Sequence, residues 1–201
     1  SADVVAAVHD ELLGGRHGLL IGTVGRIVRH KNALFLLEVL DELSKRGAMT
    51  TLAIIGREED AAYCDELRAR AAALGLSDAV RLVGARSDIP AVMGALDVFA
   101  SPALREGFGL VGLEAQAAGT PAVLSTGFPT DIDMGLGIVK FLDEFDAEAW
   151  ADAVLDSAQQ VRPSPSIVAQ SIASRGFSAE ENSARIERAW RDPEFLPGVI
   201  V

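Results

Sequence analysis

The chain has 201 residues, 49% of them hydrophobic, and its 29 Asp and Glu against 18 Lys and Arg give a formal charge of −11. That length suits one domain or two small ones, the apolar share supports a substantial core, and the acidic balance argues against nucleic acid as a partner. The lone cysteine, Cys64, allows no internal disulfide and no cysteine metal site, no apolar run approaches the ~20 residues that span a bilayer, and the first residues do not read as a signal peptide, so the expected setting is cytosolic.

Residues 1–17 read as a lead-in helix or linker, with a weak helix from Val4 to Leu13 ended by Gly14-Gly15. Gly18 to Val24 is an apolar run of strand length. A basic loop, Gly25 to Lys31, follows it, and Asn32 stands at an N-cap position. Ala33, Leu36, Leu37, Leu40 and Leu43 then form one helical stripe, with Glu38, Asp41, Glu42 and Lys45 off it. Thr50 to Ile55 is a second strand. A charged, Ala-rich helix over 59–74 precedes a third strand, Val80 to Val83, closed by Gly84. Ile89 to Leu96 is a short helix, and Asp97 to Ala100 a fourth strand.

The next stretch organises the rest. After Ser101-Pro102 comes a loop, Glu106-Gly107-Phe108-Gly109, then a helix from Leu110 to Ala118, then Gly119-Thr120-Pro121 and a fifth strand, Ala122 to Ser125. Leu136 to Phe141 reads as strand six. Helices follow over Ala147 to Gln160, capped by Asp146, and near Ile167 to Ser174. Ser178-Ala179-Glu180-Glu181 is a capping box opening a last helix to about Arg191, ahead of a tail from Asp192. Strands alternating with helices indicate an α/β fold: a doubly wound, mostly parallel Rossmann-like sheet of about six strands, with helices on both faces and right-handed crossovers. The expected division is a lead-in over 1–17, a ligand-binding domain over 18–175 and a C-terminal helix and tail over 176–201.

In such sheets ligands bind outside the carboxyl ends of the strands. The glycine loop lies there, and free N–H groups at the start of the helix behind it favour an anion. Glu106 and Glu114, with seven residues between them, suit neutral hydroxyl donors rather than phosphate. Phosphate flanked by hydroxyl-rich groups describes a nucleotide-sugar. The competing reading is two solvated carboxylates. Arg26 and Lys31 sit in the loop after the first strand, on the same edge, with a planar fork and a point charge for phosphate.

The segment Glu106 to Glu114, EGFGLVGLE, resembles the E-x7-E motif of retaining glycosyltransferases of family 4, which have the GT-B fold. The continuation AQAAGTPAV, the upstream VGRIVRHKN and a downstream stretch to about Trp150 are similar to the same family, most of all to its capsule and exopolysaccharide type. The resemblance implies one half of a GT-B enzyme, the half that binds the donor. Arg26 and Lys31 would hold the donor's diphosphate, and Glu106 would accept hydrogen bonds from hydroxyls of the transferred sugar. Gly107, Phe108 and Gly109 would lie beside that sugar, Leu110 and Val111 would offer N–H groups to the phosphates, and Glu114 would grip the ribose hydroxyls. Val111 stands where many relatives carry Ser or Thr. The base would rest on the loop after the third strand, at Gly84 and Ala85, with nothing there to separate uracil from guanine.

The resemblance further implies a UDP- or GDP-linked sugar as substrate, no cofactor, and no metal. The acceptor would be a saccharide or lipid-linked saccharide bound through a preceding domain outside this chain, with peripheral membrane contact of the full-length protein. Asp131-Ile132-Asp133 has the spacing of a metal-binding D-x-D but reads as a surface loop or cap. His30 is a candidate phosphate contact or general base, but beside Lys31 it reads as a solvated histidine; His9 and His17 carry no signal. Gly22-Thr23-Val24-Gly25 is not a dinucleotide fingerprint, and no Walker A sequence is present. Two rivals remain: half of a nucleotide-sugar epimerase, which needs further acid/base residues, and a non-catalytic nucleotide- or sugar-binding module, which leaves Glu106 free to change.

Overall fold

A computed structural model describes residues 1–177 together with 183, 184, 187, 188 and 191. Six parallel strands, β1 (Leu19–Val24), β2 (Thr50–Ile55), β3 (Val80–Gly84), β4 (Val98–Ser101), β5 (Ala122–Ser125) and β6 (Val139–Leu142), form one sheet in the order β3-β2-β1-β4-β5-β6. The order reverses between β1 and β4. Loops leaving those two strands diverge to opposite sides and open a crevice at their carboxyl ends, as in doubly wound sheets.

Alternation along each strand feeds two cores. Ile21, Leu52, Ile54, Val98, Ala100 and Val123 face one layer, and Leu20, Ala53, Ile55, Phe99, Ala122 and Leu124 face the other. The first layer is α2 (Ala33–Lys45), α3 (Ala61–Ala73) and α6 (Ala147–Ala158); the second holds α1 (Ala2–Leu13), α4 (Ile89–Ala95) and α5 (Leu110–Ala117), flanked by α7 (Pro165–Ser174). The α2 stripe is buried as its spacing predicts, and Val39 joins it. Trp150 of α6 is fully buried, meets Phe35 of α2 edge-on at 5.3 Å and donates from its indole to Glu144 O at 2.9 Å. Burial of one such side chain is worth roughly 1.5–3 kcal/mol.

α1 is packed into the fold: Val8, Leu12 and Leu13 are buried on the α4 side, and Gly14 closes the helix in the left-handed conformation. Asp60, Asp146 and Ser164 each accept a bond from an amide in the first turn of α3, α6 and α7. Asn32 differs. It precedes α2 with φ +56° and no side-chain cap, because it also ends the 3-10 turn Arg29–Lys31, whose reversal needs that left-handed residue. The sixth strand starts at Val139 rather than Leu136, since Gly135 and Gly137, both with φ +70°, keep the intervening residues in a loop. The capping box at 178–181 and the tail from 192 lie outside the described residues.

Candidate functional site at the β1/β4 switch point

The loop after β1 continues the sheet's ladder before it turns away. Gly25 N–H donates to Ile55 O and Ile27 N–H to Arg57 O, each at 2.9 Å, and Ile27 is buried. This approach depends on Gly56, where a Cβ would stand 1.7 Å from Gly25 O. The chain then makes the 3-10 turn Arg29–Lys31 and meets the loop after β4. Leu104 N–H donates to His30 O at 2.8 Å, and two residues on, Glu106 N–H donates to Gly127 O at 2.8 Å. Three loops, after β1, β4 and β5, are thereby tied into one wall.

Across the crevice Lys31 Nζ forms an ion pair with Glu106 Oε1, the two side chains only 20% and 12% exposed. Arg26, more open, pairs with Glu59 at 3.2 Å. Arg26, His30, Lys31, Arg105, Glu106 and Gly107 line a cleft of about 530 Å³. Gly107 is exposed, Phe108 is half-exposed with its ring 6.1 Å from that of Phe177, and Gly109 is buried at the head of α5 with φ +78°. The amides of Leu110 and Val111 open α5 with no acceptor among the described residues, whereas Gly112 N–H already bonds Gly109 O at 2.9 Å. They are the helix's free donors, on the end that carries partial positive charge.

The Glu114 side chain, exposed one turn into α5, makes no hydrogen bond or ion pair among the described residues, and partial desolvation by its surroundings pushes its carboxyl above the ordinary range. The predicted base contacts lie along the same sheet edge but away from the cleft lining. Gly84 ends β3 and accepts from Gly56 N–H at 2.9 Å, and Ala85 is exposed. Arg86 in that loop is committed to Asp88, through contacts of 2.8 and 2.6 Å, and to Glu11. Its guanidinium holds the Asp88 carboxyl below the ordinary range. Asp133 of the D-x-D accepts from Gly135 N–H at 2.8 Å and Asp131 is exposed.

The structure therefore brings together Arg26, Lys31, Glu106 and Gly107, adjoins them to the start of α5, and sets Gly84 and Ala85 further along the edge. Three contributors, Glu59, Arg105 and Gln116, carried no sequence signal of their own. Glu59 is the counter-charge of Arg26 from another loop, while Arg105 completes the cleft together with His30. Gln116, fully buried, donates to Gly112 O at 3.0 Å and Ile132 O at 2.8 Å and accepts from Met134 N–H at 2.7 Å. It fastens α5 to the segment after β5. Chemically the site offers cations and helix amides for an anion, beside carboxylates for hydroxyl groups.

A family model described as Glycosyl transferases group 1 matches residues 18–160. EpsF of Bacillus subtilis (strain 168), named as a glycosyltransferase, is 33% identical over 165 residues, covering 82% of this chain and 42% of that protein. The lipopolysaccharide core biosynthesis mannosyltransferase LpcC of Rhizobium leguminosarum bv. viciae is 36% identical over 115 residues, 56% of this chain and 32% of its own length. Among solved structures, Anabaena Alr3699/HepE in complex with UDP and glucose aligns with a TM-score of 0.74 at 21% identity, over 94% of this chain and 52% of that one. The fold is that of the Rossmann-like domains of GT-B glycosyltransferases. The chain spans about half the length, or less, of these proteins.

Proposed function

As the chain belongs to the group 1 glycosyl transferases, we propose that it is the donor-binding half of a retaining, metal-independent glycosyltransferase that builds surface polysaccharide. The observation that carries this reading is the crevice at the sheet's switch point. Lys31 and Glu106 meet across it, and the unbonded amides of Leu110 and Val111 adjoin it. Arg26, Lys31 and those amides receive the diphosphate of a UDP- or GDP-linked sugar. Glu106 accepts from the sugar's hydroxyls, Gly107 to Gly109 line its flank, and Glu114 accepts from the ribose. When the bond from the sugar's anomeric carbon to phosphate oxygen breaks, negative charge gathers on the departing nucleotide. Preorganised cations and amides stabilise it there, a large electrostatic contribution to such reactions.

Lys31 and Glu106 neutralise each other across the cleft. Donor binding separates their duties, with Lys31 turning to phosphate and Glu106 to hydroxyl groups. The name of LpcC favours the polysaccharide role, and the UDP and glucose bound to HepE favour a nucleotide-sugar donor. The acceptor, a saccharide or lipid-linked saccharide, is bound by a second domain, in keeping with the share of its relatives that the chain spans. Calorimetric titration of this chain with UDP, GDP and ADP tests the donor site. The proposal requires one of these nucleotides to bind and both Arg26→Ala and Glu114→Ala to weaken it. Equal, weak heats for all three, unchanged in the variants, would refute it.

A further inference from the structure

Arg105 is the cleft residue that the donor reading leaves without work. The chain carries 29 Asp and Glu against 18 Lys and Arg, and the other arginine and the lysine of the cleft are both matched, Arg26 by Glu59 and Lys31 by Glu106. Arg105 makes no hydrogen bond and no ion pair among the described residues, and its neighbour in the cleft, the His30 side chain, is exposed as well. Its backbone, however, is held on both sides. Leu104 N–H is bonded to His30 O and Glu106 N–H to Gly127 O, each at 2.8 Å. A residue pinned between two long-range backbone bonds keeps its Cα at one place on the wall, from which the exposed side chain reaches into the cleft. The guanidinium brings five donors in a planar fork that matches a carboxylate or phosphate.

We infer that Arg105 is a specificity residue recognising a second anionic group, a carboxylate or a phosphate, distinct from the donor's diphosphate. The inference rests on the donor-site reading above, which places the transferred sugar beside Glu106 and therefore beside Arg105. The diphosphate already has Arg26, Lys31 and the amides of α5. Glu106, the carboxylate lining the same cleft, is paired with Lys31 and, once the donor is bound, accepts from the sugar's hydroxyls, so in neither state does it quench Arg105. The group it reads is carried either by the transferred sugar, as in a uronic acid, or by a phosphorylated acceptor.

The test compares ligands that differ by that charge. The 201-residue chain is titrated with UDP-glucose and UDP-glucuronate, and with GDP-mannose and GDP-mannuronate. Saturated with the nucleotide that binds, it is then titrated with glucose and with glucose 6-phosphate. The anionic member of at least one pair is expected to bind about tenfold tighter, the scale of one charge-assisted hydrogen bond. Arg105→Gln should abolish that ratio and Arg105→Lys should keep part of it. A preference within a nucleotide-sugar pair assigns the anion to the transferred sugar; one confined to glucose 6-phosphate assigns it to the acceptor. Nucleotide binding without any preference for the anionic ligands, or a preference that survives Arg105→Gln, overturns the inference and leaves the donor site standing. Failure of every nucleotide to bind overturns the donor-site reading, and the inference with it.

Discussion

Replacing Lys31 by Met tests how the cleft is held before any ligand arrives. Lys31 and Glu106 are largely shielded, at 20% and 12% side-chain exposure. Two unit charges about 4 Å apart attract by about 4 kcal/mol at an effective dielectric constant of 20. Desolvation of both groups offsets much of that, and breaking such a pair leaves one charge shielded and alone. For a cleft still open to water the net loss in Lys31→Met is about 1–2 kcal/mol. In a chain of this size that lowers the melting temperature by roughly 3–6 °C. Glu106→Gln alone should destabilise less, because the longer lysine can swing into solvent. The double variant should recover most of the stability, since neither charge is then stranded, giving a coupling energy on the order of 1 kcal/mol. Donor affinity should behave otherwise, falling in all three variants. Thermal melts and nucleotide titrations on the same four proteins read both quantities. Strictly additive melting shifts, or a double variant that binds donor normally, would refute the reasoning.

Gln116→Leu keeps the volume of a buried side chain but strands Ile132 O and Met134 N–H. It should cost roughly 2–4 kcal/mol, seen as a lower urea midpoint at unchanged slope, and an unmoved midpoint contradicts the role given to the amide. Gly56→Ala sets a Cβ against Gly25 O, 1.7 Å away with φ +156°. Neither backbone can yield cheaply, so a loss of roughly 2–3 kcal/mol should accompany weaker donor binding through displacement of the β1 loop; wild-type stability and affinity in this variant would show that the loops separate freely. Glu114 makes the site sensitive to acid. Burial raises its carboxyl pKa, so donor affinity should fall with pH sooner than for an ordinary glutamate near 4.3, and Glu114→Gln should flatten that part of the profile. The folded chain binds this proton more readily than the unfolded one. Glu114's contribution to stability is therefore full below the unfolded pKa and lost as pH rises through the folded one. At neutral pH Glu114→Gln should then melt no lower than wild type while binding donor less well; a clear drop in melting temperature argues against this account of the carboxyl.

Local signals carried much of this architecture. Apolar runs bounded by glycine or proline placed β2 and β5 to the residue, and the stripe at 33–43 named the buried face of α2. Errors gathered where tertiary context overrode a local rule. Leu136 looked like the start of a strand, but left-handed glycines on either side hold it in a loop. Asn32 looked like a cap, but the preceding turn spends its conformation on a reversal. The Glu106 and Lys31 positions were legible as chemistry on one sheet edge, whereas their pairing was not, because it joins residues 75 apart in sequence. Gln116 was invisible for a related reason. A glutamine in a short helix reads as surface, and only a neighbouring segment with unpaired backbone groups makes burying it favourable. Arg105 beside Glu106 likewise reads as an ordinary loop pair until Lys31 claims the carboxylate.

The most direct test of the donor site is amide mapping by NMR on the ¹⁵N-labelled chain during titration with UDP and with GDP. The account predicts that one nucleotide shifts Gly25, Lys31, Gly107, Leu110 and Val111, the residues that meet at the carboxyl ends of β1 and β4. It predicts no change around Arg16 and Arg81, which line a separate hollow beside β3. Shifts confined to that hollow, or none anywhere at millimolar nucleotide, would contradict it.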